Sequence, residues 1–391
     1  MDVRFSFLTN GSMKINVCFI FLMIWIASCR EKAESTVDEL TYSIDTVIID
    51  AGEKVFDLSQ MMRISDIDDG NGFLYSYNSY EHSIDKVDLD KLEWVGRLPF
   101  EKEGPNGTGS YMSQFRVLDG DKMFIAAGRT SGIYTVDGKV SNRFDWQASD
   151  IKRGRIGDSE RIWNQVLLNK YDHLLFSIVI DDQAKTASLK KLDTRDKSID
   201  QYAIDPSNNY KAYTLEIDKP ESRTLLDPLF FLSTTPDALI VSHEFSNEIF
   251  FYDLKNDSLG TVRYPSGILP EKVTPSKQKF EEFTDLQDAY HGYLEQARFG
   301  VPVWDELNRR YYRLSCYKEF SDERKEGQFL AEVLESNVVL SIFDSDFNLL
   351  QEALIPELNS ESNKYFVKAG SLWVFENLDD ELAFIRLSFN N

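Results

Sequence analysis

The chain has 391 residues, with 43 Lys and Arg against 65 Asp and Glu, a net charge of −22. So acidic a surface repels phosphate backbones and anionic lipid faces, which excludes nucleic acid as a partner. Hydrophobic residues make up 42% and aromatic residues 13%, enough for a large core and well suited to aromatic-rich strands.

In chain order, the first feature is the apolar run Ile15–Ser28, "INVCFIFLMIWIAS", preceded by Lys14. It is shorter than the roughly 20 residues that a stable membrane anchor needs. A positive start, a short apolar centre and small residues at the exit are the layout of a secretory signal. Met13-Lys14 opens such a signal more naturally than the polar "MDVRFSFLTNGS" that begins at Met1. The exit Ile26-Ala27-Ser28-Cys29 resembles a bacterial lipobox, in which small side chains admit the peptidase and the Cys29 thiol accepts a diacylglycerol. Residues 1–28 are therefore expected to be a lipoprotein signal peptide, with Cys29 lipidated. The mature chain would hold 391 − 28 = 363 residues. The polar segment 29–38 reads as a tether, and residues 39–391 as one domain. Cys18 and Cys29 belong to this opening, so Cys316 is left alone and no disulfide framework can form. Cys316, in "YYRLSCY", reads as a small buried hydrophobe.

A recurring pattern follows: apolar, two of any type, apolar, then Asp. It ends at Asp88, Asp137, Asp193, Asp253 and Asp344. Aspartate at a strand end bonds the local backbone and starts a tight turn, which is its expected role here. Each repeat sits in a set of four short strand-like runs, the content of one propeller blade. The sets span 61–99, 114–144, 161–204, 229–264 and 300–354. Residues 364–387 supply three runs more, and "TYSIDTVIID", Thr41 to Asp50, is the candidate fourth. Pairing the chain ends would close the ring and remove an exposed edge. The expectation is an all-β, six-bladed propeller. Seven blades would follow if 153–161 or 205–227 hides further strands. Between blades four and five, residues 275–299 place Phe280, Phe283, Leu286, Tyr290 and Leu294 at helical spacing. A helical insertion is expected there. "FSDERKEGQFLAEVLE" after Tyr317 reads as a second short helix or a loop.

With the lipobox, the closing strand, "EKEGPNGTGSY" at Glu101 to Tyr111 and "VPVWDELNRRYYRL", the chain resembles an uncharacterised family of secreted six-bladed β-propeller lipoproteins of Gram-negative bacteria. The piece "EGPNGTGSY" is similar to a glycine-rich connector of such propellers, with Asn106 where glycine would stand. The resemblance implies an exported propeller and no known reaction.

Within a blade, the first-to-second and third-to-fourth turns share one face. The remaining connections share the other, and here they are the long ones. Binding groups concentrate in loops on rigid scaffolds. The candidate ligand-binding residues on that face are Tyr111, Arg116, Arg129, His243, Glu244, Arg313 and Tyr317. Arg116, in an inner strand, would face the channel. Arginine forks and aromatic faces suit carboxylates, sugars or peptide ends.

His82, His173, His243 and His291 make no zinc-binding pair, and no nucleophile elbow or phosphate loop occurs. No cofactor, metal or catalytic residue is therefore assigned. The expected function is a lipid-anchored binding or scaffolding module of the cell envelope, on the outer membrane. Its partners would be the membrane through its lipid, and a peptide, glycan or envelope protein on the long-loop face. The alternative is an envelope hydrolase or lyase with a metal in the channel.

Overall fold

Aspartates at strand ends set the turns, and the turns set the meander. Oδ1 of Asp88 accepts from the Asp90 and Lys91 N–H groups, each at 3.0 Å. Oδ1 of Asp193 does so from Arg195 and Asp196, and Oδ1 of Asp253 from Lys255 and Asn256. The turn then ends in a left-handed residue, Leu92, Lys197 or Asp257, with φ of 58°, 56° and 49°. The side chain thus replaces the backbone partners that a reversing chain loses.

The computed structural model describes residues 40–119, 121–219, 222–235, 237–359 and 364–389. The signal peptide, Cys29 and the tether lie outside these residues. The chain starts with β1 (Tyr42–Ile48). Blade one holds β2 (Ser65–Ile67), β3 (Phe73–Asn78), β4 (Ser83–Asp88) and β5 (Glu93–Pro99). Blade two holds β6 (Gln114–Leu118), β7 (Lys122–Ala127), β8 (Thr130–Thr135) and β9 (Val140–Phe144). Blade three holds β10 (Glu160–Leu168), β11 (Tyr171–Asp181), β12 (Thr186–Asp193) and β13 (Ser198–Ala203). Next come the short helix α1 (Asn209–Tyr213) and a separate hairpin, β14 (Leu215–Lys219) and β15 (Ser222–Leu226). Blade four holds β16 (Phe230–Thr234), β17 (Ala238–His243), β18 (Ile249–Asp253) and β19 (Ser258–Val262). After it comes α2 (Phe283–Leu294). Blade five has an inner strand broken into β20 (Arg298–Phe299) and β21 (Val303–Asp305), then β22 (Arg310–Phe320), β23 (Val333–Phe343) and β24 (Leu349–Leu354). Blade six holds β25 (Tyr365–Lys368), β26 (Ser371–Leu378) and β27 (Glu381–Phe389), with β1 as its outermost strand.

The protein is thus a six-bladed propeller closed by its two ends. β1 pairs antiparallel with β27 from Tyr42 opposite Phe389 to Ile48 opposite Ala383. The segment 205–227 does carry strands, but they form the separate hairpin and no seventh blade. The helical insertion is shorter than its apolar spacing suggests. Phe280 precedes the helix in extended backbone bridged to Glu216. The stretch after Tyr317 holds no helix, because β22 and β23 run on to Phe320 and from Val333 as a long hairpin.

The core is a ring of apolar clusters between neighbouring blades. Phe124, Leu175 and Leu192 meet between blades two and three. Phe176, Val241 and Phe250 meet between three and four. Trp373, Phe384, Leu74 and Val87 join blade six to blade one. On the long-loop face, α2, the β14–β15 hairpin and the β22–β23 loop pack together through Leu215, Ile217, Leu286 and Phe329. The glycine-rich connector is compact because Gly107 leaves no room for a side chain: a Cβ would lie 2.7 Å from the Glu103 backbone. Asn106 of this connector uses its Oδ1 to accept from the Val140 N–H at 3.3 Å.

Candidate binding site in the central channel

The inner strands of all six blades surround a cavity of about 1370 Å³. Polar groups on these strands tie each blade to the next. The Asp66 carboxylate accepts from the Val117 N–H at 2.8 Å, joining blades one and two. Gln114 Nε2 donates to Asn164 Oδ1 at 3.0 Å, and Asn164 Nδ2 donates to the Phe230 carbonyl at 2.9 Å. These bonds join blade two to three and three to four. Ser233 Oγ donates to the Pro302 carbonyl at 2.9 Å, and the Tyr365 hydroxyl to the Val301 carbonyl. Lys364 Nζ donates to the Ser65 carbonyl at 3.1 Å, joining six to one. Burial lowers the pKa of Lys364, while the nearby Asp66 opposes that shift. This inner belt satisfies polar groups that the channel would otherwise leave buried and costly.

Arg116 crosses the cavity. Its guanidinium donates to the Thr234 hydroxyl on blade four, two blades away, and lies 3.8 Å from Asp66. Its Nε has no hydrogen-bond partner among the described residues.

The two mouths differ in chemistry because each blade's first strand runs from the long-loop face to the short-turn face. The short-turn mouth carries Asp68, Asp69, Asn169 and Glu306, and Asn169 Nδ2 donates to Asp69 at 2.7 Å. The long-loop mouth collects Arg63, Tyr111, Arg129, Arg161 and Trp163. Trp163 is 37% exposed and Tyr111 42%, unusual for large rings and suited to contact with a ligand. Arg161 stacks on Trp163 at 4.8 Å and pairs with Asp227 at 3.0 Å and Asp182 at 3.2 Å. Arg63 donates to Gln60 Oε1 at 3.0 Å, and Arg129 to the Glu160 carbonyl at 3.2 Å. Neither has a carboxylate partner among the described residues.

Of the residues singled out by sequence, Tyr111, Arg116 and Arg129 come together on the channel wall. The other four lie elsewhere, so their assignment to an open binding face is corrected by the packing. His243 is fully buried, stacked on Phe245 with ring centres 3.9 Å apart. Burial holds its pKa below the ordinary histidine value. Glu244 is buried and spent on Arg298 and on the Leu229 N–H. Arg313 is fully buried against main-chain carbonyls. Tyr317 is half-buried against the cluster of Leu269, Phe299 and Val339. Arg63, Arg161 and Trp163 escaped the sequence reading. Their signal was an arginine at, or just before, the start of a blade's first strand, where the chain enters the channel from the long-loop face.

The profile of the domain of unknown function DUF4221 matches residues 37–354. Among curated proteins, nothing matches this sequence. A member of the DUF4221 family from Bacteroides vulgatus is similar in structure, with a TM-score of 0.63, 14% identity and coverage of 90% of this chain and 98% of that one. A Bacteroides fragilis protein assigned as exported is similar with a TM-score of 0.52, 10% identity and coverage of 90% and 98%. At such identities the likeness speaks for the fold. The matched profile spans most of the chain, and the protein therefore belongs to the DUF4221 family.

Proposed function

We propose that this protein is an exported, lipid-anchored binding module that holds a carboxylate-bearing ligand at the long-loop mouth of its channel. One observation carries the reading. In a chain of net charge −22, three arginines and two exposed rings converge on one mouth, and Arg63 and Arg129 lack a described acidic partner. Arginine forks fit carboxylates with paired N–H bonds, and a half-enclosed rim strengthens them. The carboxylates on the channel wall are engaged in structure: Asp66 by the Val117 N–H, Asp68 by the Phe73 N–H, Asp69 by Asn169, Asp305 by the Leu307 N–H and Glu306 by the Trp304 indole N–H. A wall of amides, arginines, rings and aliphatic groups supports binding rather than hydrolysis.

Calorimetry with succinate, N-acetylglutamate and their amides tests this. The acids should bind and the amides should not. Arg63→Ala with Arg129→Ala should weaken the acids by about tenfold or more, the scale of lost charge-assisted bonds. Equal binding of acid and amide, or unchanged affinity in the double variant, refutes the reading. Thermal stabilisation by a divalent metal alone would favour the hydrolase or lyase instead.

The anchor rests on the lipobox-like Ile26–Cys29, outside the described residues, and the description of the Bacteroides fragilis neighbour as an exported protein is in keeping with it. Several acyl chains, at about 0.8 kcal/mol per buried CH₂, hold a protein on a membrane. Cys29→Ala should therefore release the protein to the soluble periplasmic fraction. Unchanged membrane fractionation counts against lipidation.

A further inference from the structure

The β14–β15 hairpin has a free edge with a defined orientation. The Glu216 N–H donates to the Gln278 carbonyl at 2.7 Å, and the Glu216 carbonyl accepts from the Phe280 N–H at 2.9 Å. Both main-chain groups of Glu216 therefore point away from β15. Residues directly opposite in an antiparallel pair share this orientation. Leu225 stands opposite Glu216, so its N–H and C=O point outward too, and so do those of Arg223 two residues before it. β15 pairs with β14 alone, and no described residue outside the hairpin bonds these groups.

That edge borders a second cavity, of about 360 Å³, walled by Arg223, Leu225 and Leu226 of β15, by Arg161 and Trp163 of β10, by Tyr290 of α2, and by Asp182 and Asp227, both of which pair with Arg161. Arg161 and Trp163 also line the channel mouth. One shared wall thus joins the unpaired strand edge to the arginine-rich rim.

We propose that the ligand is an extended peptide segment that adds as a strand to β15 and sets a carboxylate, its own C-terminus or an acidic side chain, against Arg63 and Arg129. This deepens the reading of the mouth as a carboxylate site and rests on it. Outward N–H and C=O groups spaced along a strand match another peptide backbone. A sugar chain offers rings to Trp163 and Tyr290 but no amide ladder to Leu225. Leu225 and Tyr290 offer apolar contact to alternate side chains of the added strand, and the rim arginines complement its negative charge.

A library of random octapeptides with free carboxyl ends, screened by fluorescence polarisation, supplies the probe. The tightest peptide should lose about tenfold or more in affinity for Leu225→Pro, which deletes an edge donor but no bond to β14. Leu225→Ala, which keeps the N–H, should bind within about threefold of the original, as a side-chain contact at a rim does. Succinate should bind both variants as it binds the native protein. On the native protein, N-methylation of the peptide should abolish binding at alternate residues and be tolerated between them, which tests the pairing without any variant. Equal binding of Leu225→Pro, or tolerance of N-methylation at every position, overturns strand addition. So does a library without binders on a protein that still takes succinate. If neither succinate nor any peptide binds, both readings fall.

Discussion

Removing residues 41–50 is expected to lower the melting temperature by at least about 10 °C, a shift that for a large domain reports several kcal/mol. The segment does three things at once. It supplies the outermost strand of blade six, in register with β27 over its full length. It continues past β1, where the Ile49 N–H donates to the Leu382 carbonyl at 2.9 Å. It then crosses to blade one: the Asp50 N–H donates to Leu92 and the Trp94 N–H donates to Asp50, each at 2.8 Å. Val47 and Ile49 are buried with Phe366, Trp373 and Phe384, and Asp45 pairs with Arg386 at the exposed edge. Each net backbone bond adds about 0.5–1.5 kcal/mol, and each buried branched side chain about 1.5–3. Together these terms rival the whole stability of a folded domain, about 5–15 kcal/mol. The deletion would also bare the β27 edge, a template for aggregation. Circular dichroism on the truncated protein checks the expectation. A synthetic peptide of residues 40–51 should restore part of the lost melting temperature. A shift under about 2 °C would place the closure outside the stabilising contacts.

The same segment shows why the fold was legible in the sequence. Strands announce themselves by local means: apolar alternation, a terminal aspartate and a turn. Those signals depend on neighbours a few residues away, and Asp88, Asp193 and Asp253 bond those neighbours. Closure followed by counting, since three runs at the C-terminus lacked a fourth. The channel site was less legible because it depends on which strand of a blade is innermost and on what fills the gap between blades. Arg116 and Arg129 reach the channel, whereas Arg313, of the same residue type, lies in the second strand of blade five and turns into the seam with blade four. The sequence Arg161-Ile-Trp163 reads as a strand wherever it sits. Its role at the mouth comes from being first in its blade, and from the hairpin and helix that the insertions place beside it.

Arg313→Met is expected to destabilise the protein by about 3–5 kcal/mol, the scale of breaking a buried charged network, and to leave carboxylate binding intact. Arg313 is fully buried and serves as a strut. Its Nε donates to the Gly300 carbonyl at 2.8 Å, where the inner strand of blade five is broken. Nη1 donates to the Asn247 carbonyl at 3.2 Å, and Nη2 to the carbonyls of Ser246 at 3.3 Å and His243 at 3.4 Å. Phe299 lies under the guanidinium, 5.0 Å away. One planar fork thus holds the turn of blade four against the seam of blade five. Methionine fills similar volume but leaves those carbonyls without their donors in a site that water does not reach, and each such group costs about 1–3 kcal/mol unless the chain relaxes. Lysine keeps the charge with three donors and a different geometry, so Arg313→Lys should fall between the two. Denaturant unfolding of the three proteins measures the order, and succinate calorimetry on the folded variants separates strut from ligand contact. Unchanged stability with lost succinate binding would return Arg313 to the binding site that its residue type suggested.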